Sequence, residues 1–512
     1  MQRPLARRVL AAGLLLGLLA DLLLDGPALG LNVPVAIVAL LGVAWLLRRP
    51  GRAPDPLDAW LPIVAVMVAA FVAIRGDPFL AVLDTFVALV FVGASVVAIS
   101  GVPVTRRSAS VVAGLGVWTM ASLAWAPPRA IAAARPARGA SPLGWEPADP
   151  GDSVATRLPR WSGPVARGLL LGLPLALIFA VLFASADPIF RRGLSDVLGL
   201  RIDVGSLSGR ILFIVSAAWL SVSLLMVSAG GLPAMEQGTS LGAAANAAPI
   251  DRLRALGAVE ALVILLVIDL VVAAFVGLQI AYLFGGLDTL AAIGMTYSDY
   301  ARRGFFELVA AACLACAVVV GLETTVERRT RAYLVALLCL VALSAVVLVS
   351  AAMRLRLYQD AYGWTELRLY VLVTIVSLGV VLVGTAALVV ADRTRWLGHV
   401  LAVIGVVALV ALNVMAPSAV VAERNIARVL DPTLVPADGH AGLDLDYLSV
   451  LPDDAIPAMV AALPSLPAAD RAVIERTLDR RRLELATDPA YQGLAALNLS
   501  REHARSTLEA MP

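Results

Sequence analysis

The largest concentration of ionisable and aromatic side chains lies between Arg354 and Tyr370, in a segment that joins two long apolar stretches. Its polar residues are Arg354, Arg356, Tyr358, Asp360, Tyr362, Glu366, Arg368 and Tyr370. Arginine presents a planar fork of donors that matches phosphate and carboxylate groups. The segment therefore predicts a site for an anionic lipid headgroup or solute. The alternative is a plain helical hairpin, in which Thr365 caps the second helix.

A second polar segment, Tyr297–Glu307, stands immediately before another apolar stretch. Its ionisable residues are Asp299, Arg302, Arg303 and Glu307. If the two apolar stretches that separate the segments both cross a membrane, the chain returns to its starting side before Arg354. We therefore expect both segments on one side of the membrane, forming one polar site. The alternative is an ordinary helix start with tyrosines and arginines at the membrane surface.

Three acidic residues lie inside apolar stretches: Asp84, Glu260 and Asp269. Placing a carboxylate at the centre of a membrane helix costs about 2.5–3.5 kcal/mol on insertion scales, so each is expected to face other helices. Structural hydrogen bonds and a proton or cation relay both explain such residues, and the sequence leaves the choice open.

Motifs for other chemistry are missing from the sequence. Cys313 and Cys316 have the spacing of a redox pair, but both lie within an apolar stretch, where cysteine behaves as a small hydrophobe. The three histidines, His399, His440 and His503, are scattered. There is no phosphate-binding glycine loop, dinucleotide fingerprint or HExxH motif. We therefore predict no cofactor and no metal, identify no catalytic residue, and favour a protein that is not an enzyme.

The composition indicates that lipid surrounds much of this chain. Of its 512 residues, 60% are hydrophobic and 15% are charged, and the mean hydropathy is +0.87. Soluble globular proteins are about 45–50% apolar and about 25% charged. A net charge of +2 argues against nucleic acid as a partner. All 40 basic residues are arginine, which is typical of a GC-rich bacterial genome. We therefore predict a multi-pass protein of the bacterial inner membrane, with membrane lipids as partners.

Apolar stretches of the length needed to span a bilayer predict an all-α, polytopic transmembrane bundle of about 12 spans, with a range of 10–12. They are Val9–Leu24, Val33–Leu47, Trp60–Ile74, Phe79–Ile99, Ser108–Trp125, Val165–Ala184, Arg210–Ala229, Ala255–Phe284, Phe305–Leu322, Ala332–Met353, Leu367–Val390 and Leu397–Met415. The first of these is also compatible with a signal peptide.

Breaks in hydrophobicity predict four regions. They are N-terminal transmembrane segments (1–126), a disordered loop rich in Pro, Ala and Arg (127–160), a transmembrane core bundle (161–415) and an acidic, helical, extramembrane C-terminal tail (416–512). The core contains a flexible connector at Gly231–Pro249. From Val420 onward 9 Arg stand against 14 Asp and Glu, a net charge of −5. Helices are predicted at Asp444–Leu451, Asp454–Leu463 and Ala469–Leu485. The side of the membrane that the tail occupies depends on whether the span count is even or odd.

Three stretches in the second half resemble a known family. One combines Phe275–Gly286 with Tyr297–Leu308, and the second is Arg354–Tyr370. The third combines Ala422–Arg428 with Leu443–Leu448 and Pro452–Pro457. Together they resemble the bacterial membrane families known as domains of unknown function 4153 and 4173, over about residues 260–460. The resemblance implies a membrane architecture but no reaction and no catalytic residue.

The leading functional hypothesis is a sensor, scaffold or regulatory component of the cell envelope whose tail meets a protein partner. It is based on the acidic helical tail joined to a bundle without catalytic motifs. A secondary transporter is one alternative, because of the acids inside apolar stretches. A membrane enzyme acting on a lipid-linked or anionic substrate is the other, because of the polar residues from Arg354 to Tyr370.

Overall fold

The computed structural model describes residues 3–48, 51, 53–106, 119, 126–131, 133, 134, 207–229, 258–284, 305–326, 329–436, 439 and 442–511. These residues form α-helices joined by turns and short 3-10 helices, and they include no β-strand. The all-α class predicted from the sequence is therefore confirmed for this part of the chain.

The bundle is formed by the apolar helices that precede the tail. Its described helices are α1 (Arg3–Leu24), α2 (Asn32–Leu46), α3 (Trp60–Phe71), α4 (Pro78–Ile99), α5 (Leu207–Ser228), α6 (Ala258–Phe284), α7 (Phe305–Thr325), α8 (Arg331–Tyr362), α9 (Glu366–Val390) and α10 (Leu397–Met415). Every predicted span whose residues are described is helical. Most of these helices end within three residues of the predicted bounds, whereas α1 begins six residues earlier than predicted and α8 continues nine residues further, to Tyr362.

Helix starts in the bundle follow from local capping chemistry. The Asp77 carboxylate accepts hydrogen bonds from two backbone N–H groups at the start of α4, and Pro78 occupies the first helical position. Thr330 caps α8. Thr365 caps α9 by accepting from the Arg368 N–H at 3.3 Å, which confirms the predicted cap.

Only some of these helices are long and apolar enough to cross a membrane by length and composition. Within the described residues there are four: Pro78–Ile99, Arg331–Tyr362, Glu366–Val390 and Thr394–Met415. Shorter apolar helices occur at Asn32–Leu46, Pro56–Phe71, Phe213–Ser228, Ala261–Gly277 and Leu308–Glu323. Long apolar helices indicate a membrane protein, while the predicted count of twelve spans is not confirmed.

Several predicted segments fall on residues that the structure does not describe. They are the span Val165–Ala184, the connector Gly231–Pro249 and all of Ser108–Trp125 except Thr119. The predicted disordered loop 127–160 is described only at its start. Residues 127–131, 133 and 134 are helical there, and the rest of the predicted loop lies outside the described residues.

The described bundle has two hydrophobic cores. Helices α1–α5 share one, and α6–α9 share the other. In the first core α1 and α5 run antiparallel in close contact, because Gly13 and Gly17 leave room for Val222 and Ala218. A Cβ on Gly17 would lie 2.7 Å from the Ala218 Cβ, so this approach requires glycine.

The tail is a helical domain with a hydrophobic core of its own. Its helices are α11 (Pro417–Leu430), α12 (Leu445–Ser449), α13 (Ile456–Ala462), α14 (Ala468–Thr487) and α15 (Leu499–Glu509). The three predicted tail helices correspond to α12, α13 and α14, while α11 and α15 were not predicted. The Asp453 carboxylate accepts two hydrogen bonds from the Arg481 guanidinium, at 2.7 and 2.9 Å. They connect α14 to the turn before α13.

The bundle has two chemically different ends. At the tail end lie the turn after α1, the end of α3, the α8–α9 turn and the end of α10. The N–H groups of Ala28 and Leu31 donate there to tail carbonyls at 2.7 and 2.9 Å. At the opposite end, which we call the basic end, lie the start of α1, the loop from α2 to α3 and the end of α4. Arg106 forms an ion pair with Asp55 there.

Candidate functional site

The junction between the tail and the bundle is the most elaborate polar region that the structure describes. It begins with the turn between α3 and α4. Arg75 donates to the backbone carbonyl of Asn413 and forms an ion pair with Asp454 at 3.2 Å. The Gly76 N–H donates to the same Asp454 carboxylate at 2.8 Å. One tail aspartate therefore holds the α3–α4 turn, and through Arg75 it also reaches the end of α10.

The start of α15 closes the end of α3. A helix end leaves backbone carbonyls without partners inside the helix. The Asn498 amide donates to the carbonyls of Val72 and Arg75 at 2.9 and 2.7 Å, and the Leu499 and Ser500 N–H groups donate to those of the residues between them. Asn498 also caps α15 by accepting from the Arg501 N–H at 3.1 Å. One asparagine therefore joins two helix ends.

The start of α9 is held by the tail and by α4. The Glu366 N–H donates to the Tyr447 hydroxyl at 2.9 Å, and the Ser418 hydroxyl donates to the Glu366 carboxylate. The Tyr370 hydroxyl donates to Asp77, the residue that caps α4. Burial raises the pKa of the Tyr447 hydroxyl, so this group stays neutral and keeps its place in the network.

The α8–α9 turn is fixed by a single side chain of α11. Gly363 has a φ of +86°, a conformation that favours glycine, and a Cβ on it would lie 2.9 Å from the Asn425 Oδ1. The Trp364 N–H donates to that oxygen at 2.7 Å, while the Asn425 amide donates to the Trp364 carbonyl at 2.8 Å. The side-chain amide of Asn425 therefore pairs with both backbone polar groups of Trp364.

Arg428 closes the end of α8. Its guanidinium donates to the carbonyls of Gln359, Asp360 and Ala361, and the first of these bonds is 2.7 Å long. A cation at the carboxyl end of a helix also interacts favourably with the helix dipole. Arg428 is buried, and this burial lowers the pKa of its guanidinium. The tail thus supplies the groups that complete α3, α8 and the start of α9.

A cavity of about 600 Å³ opens beside this junction, between α8, the α8–α9 turn and α11. The residues that matter for its chemistry are Met353, Arg356, Gln359, Trp364, Arg424 and Arg428. Arg356 and Arg424 are exposed, and neither has a salt bridge with a described carboxylate. The Arg424 guanidinium lies 5.7 Å from the Trp364 ring centroid.

The structure divides the predicted Arg354–Tyr370 site into two parts. Arg356 lines the cavity, whereas Glu366 faces the tail and α4. Arg368 donates to the Gly363 carbonyl and stacks on the Tyr358 ring at 3.9 Å. Tyr362 is exposed and meets Tyr358 edge to face, at 5.2 Å between ring centroids. Arg354 is half-buried on α8 and does not line the cavity.

The second predicted segment lies almost entirely outside the described residues. This applies to Asp299, Arg302 and Arg303, and also to the Glu307 side chain. The end of α7 lies beside the start of α8, where the Tyr333 hydroxyl donates to the Glu323 carboxylate at 2.8 Å. The start of α7 therefore points toward the tail end. The shared polar site stays a prediction.

Two of the predicted intramembrane acids are buried inside the bundle. Asp84 is fully buried, and its Oδ1 accepts from the Asn413 amide of α10 at 2.9 Å. Asp269 is 7% exposed, and its Oδ1 has no hydrogen-bond partner among the described residues. Both therefore face protein, as the cost of exposing a carboxylate to hydrocarbon requires. The Glu260 side chain lies outside the described residues.

No chemistry was predicted for the cysteines or for a metal site. Cys313 is exposed, Cys316 is buried, and both are free thiols. Among the described residues no group of three or more His, Cys, Asp and Glu is arranged to hold a metal ion.

Sequence reasoning missed the tail residues that build the junction. Asn425 and Arg428 belong to the stretch Ala422–Arg428, and Tyr447 and Asp454 belong to the other two tail stretches that carry the family resemblance. Those stretches and Arg354–Tyr370 meet at the tail end of the bundle. The signal was therefore present in the sequence, but it gave no information about which residues touch.

Comparison with known proteins points to one family. No curated protein and no solved structure matches the chain. The sequence profile of the domain of unknown function DUF4153 matches residues 62–462, which is most of the chain and includes both the bundle side of the junction and much of the tail. The chain therefore belongs to the DUF4153 family.

Proposed function

We propose that this chain is a multi-pass protein of the bacterial cell membrane that acts as a sensor or scaffold, with the tail as the part that meets a partner. The observation that supports this is the junction, in which tail residues complete the ends of α3 and α8 and the start of α9. A domain that merely trailed from the last helix would not need such buried polar contacts. A change in the tail would therefore act on several bundle helices at once.

The two ends of the bundle support an orientation for this role. The first helix carries Arg3, Arg7 and Arg8 at its start, and Arg48 and Arg106 lie at the same end. Basic residues near the first spans usually remain in the cytoplasm. The tail lies at the opposite end, so we place it on the outer side of the membrane. This arrangement requires an odd number of crossings, and eleven is the one odd number in the predicted range of 10–12.

Labelling of single cysteines tests the orientation. In a chain whose three native cysteines are replaced by serine, Leu494→Cys and Arg393→Cys introduce exposed thiols on the tail and at the basic end. A membrane-impermeant maleimide should label Leu494→Cys in intact cells and Arg393→Cys only after lysis. The reverse pattern would contradict the orientation, and equal labelling of both would contradict the membrane arrangement itself.

Photo-crosslinking from the tail tests the scaffold role. Val450, Leu483 and Leu494 are large apolar residues that are well exposed on the tail. A photoreactive residue at these positions should crosslink in cells to a discrete envelope protein, and weakening the junction by Asn425→Ala should reduce the yield. A photoreactive residue at the buried Leu478 is the matched control. Crosslinks to lipid alone would count against a scaffold, and so would a crosslinking yield that Asn425→Ala leaves unchanged.

A transporter is the second candidate, because of one buried carboxylate. Asp84 Oδ2 and Asn413 Oδ1 are buried and have no hydrogen-bond partner among the described residues. An incompletely paired acid between two apolar helices is a feature of proton relays. In proteoliposomes, proton-coupled uptake of a solute that is abolished by Asp84→Asn and unaffected by Asn425→Ala would favour this role over a scaffold.

A further inference from the structure

We propose that the cavity between α8 and α11 is a binding site for the phosphate of an anionic phospholipid. The site uses the Gln359 amide and the guanidinium groups of Arg356 and Arg424 as donors. This goes beyond the sensor or scaffold role and does not depend on it, since it requires only that the tail end of the bundle meets a membrane surface.

A buried donor at the cavity wall is the first step of the argument. Gln359 is 1% exposed and lines the cavity, and its Nε2 has no hydrogen-bond partner among the described residues. A buried N–H group without a partner costs about 1–3 kcal/mol, so native structures rarely keep one. An acceptor atom bound in the cavity would remove that cost.

The charge of the lining identifies the acceptor as an anion. Arg356, Arg424 and Arg428 line the cavity, and Asp360 is the one acidic residue among the described lining residues. The guanidinium of Arg428 is already occupied by three α8 carbonyls, which leaves the two exposed arginines as the mobile donors. Arginine suits a phosphate better than a small halide ion, because its fork binds two oxygens at once.

The apolar part of the lining identifies the source of the phosphate as a lipid. Met353 precedes Arg356 by three residues and lies on the same face of α8, and Leu372 lines the cavity from α9. Met353 is half exposed, so the cavity is continuous with the apolar outer surface of the bundle. Trp364 completes the lining at the level of the turn, and tryptophan favours the boundary between hydrocarbon and headgroups. A free anion would use the donors but not this apolar wall.

Lipid-induced stabilisation of the full-length protein in detergent tests the proposal. Dioleoylphosphatidylglycerol should raise the unfolding temperature in a saturable way, whereas dioleoylphosphatidylcholine should not. In Gln359→Met, a substitution of similar shape, the lipid-free protein should be as stable as wild type or more so, because a buried unpaired donor is gone. The shift caused by phosphatidylglycerol should nevertheless fall by half or more.

Paired arginine variants give the second measurement. The double variant Arg356→Gln/Arg424→Gln should weaken binding of phosphatidylglycerol about tenfold, as measured by native mass spectrometry. Arg393→Gln/Arg395→Gln is the matched control, because Arg395 lies beside Trp396 at the basic end and no cavity among those described includes it. Neither pair of substitutions touches a buried contact, so both proteins should fold.

Four outcomes would overturn the proposal. One is an equal shift with phosphatidylcholine. A second is a phosphatidylglycerol shift that is unchanged in both Gln359→Met and the Arg356/Arg424 double variant. The third is a full shift with inorganic phosphate alone, which would make the ligand a free anion and remove the lipid. Equal loss in the Arg393/Arg395 control would likewise show that any interfacial arginine pair suffices.

Discussion

The two ends of the bundle are held together in different ways. At the basic end the described contacts join bundle residues to one another. Arg329 joins Glu323, Asp392 and Thr394 at 2.9, 3.0 and 2.7 Å, and none of these is more than 65 residues away. At the tail end Asn498 reaches across 426 residues to the Val72 carbonyl, at 2.9 Å.

This difference separates two roles for polar contacts in one bundle. In the described residues the basic end closes with contacts that take no group from the tail. At the tail end, the polar groups that complete the helix ends come from the tail domain. These helix ends are therefore complete only when the tail is present and docked. Under the proposed sensor or scaffold role, such an end would let the tail influence helices that are distant in sequence.

Removal of the tail should have the largest effect. A chain that ends at Ala416 leaves carbonyls of α3 and α8 without their partners, and we expect a loss of about 5 kcal/mol or more in the free energy of unfolding. Denaturant unfolding in detergent measures it. The control ends at Leu508, which removes only the last residues after the buried part of α15. A chain ending at Ala416 that unfolds at the wild-type midpoint would contradict the comparison.

Breaking the basic end should have a smaller and local effect. Arg329→Met leaves Glu323, whose side chain is fully buried, without its ion pair, and we expect a loss of about 3 kcal/mol in the free energy of unfolding. Amide exchange should quicken around the end of α7 and the start of α8, while the tail stays protected. Arg331→Met, at an exposed neighbour, should change stability by less than about 0.5 kcal/mol. Loosening of the tail in Arg329→Met would show that the two ends are not independent.

Replacing one side-chain group at the tail end, the NH2 group of Asn498, should have the smallest effect on stability. Asn498→Asp keeps the oxygen that caps α15, but it places a buried carboxylate oxygen where the amide donated to two carbonyls at the end of α3, and we expect a loss of about 2–3 kcal/mol. Amide exchange should quicken at residues 72–75 and remain slow along α15. Asn498→Ala should also release the start of α15, so the difference between the two variants gives the contribution of the cap to stability. If Asn498→Asp leaves residues 72–75 unchanged, the tail does not hold α3.

The hydrophobicity of the sequence predicted the helices of the bundle well, because a helix surrounded by lipid must be apolar along most of its length. The predicted Leu367–Val390 is observed as Glu366–Val390, and the Thr365 cap follows from its residue type alone. In the tail, α11 was missed because Pro417–Leu430 is amphipathic and short, so it carries no long apolar stretch.

The junction was not predictable, since no pattern in the sequence shows which tail residue meets which helix end. Arg428 has the residue type of a solvated surface group, and nothing local shows that it closes α8. Glu366 and Arg356 are ten residues apart and were assigned to one site. A sharp turn with a positive φ at Gly363 instead directs them to different neighbours.

The reach of Asn498 across the chain has a consequence for biosynthesis. Ribosomes add about 5–20 residues per second, so about 20–85 s pass between the synthesis of Val72 and that of its partner. During that interval the carbonyls at the end of α3 have only water and headgroups as partners. A nascent or prematurely terminated chain therefore differs from a finished one at a defined surface, where a membrane protease or chaperone could tell the two apart.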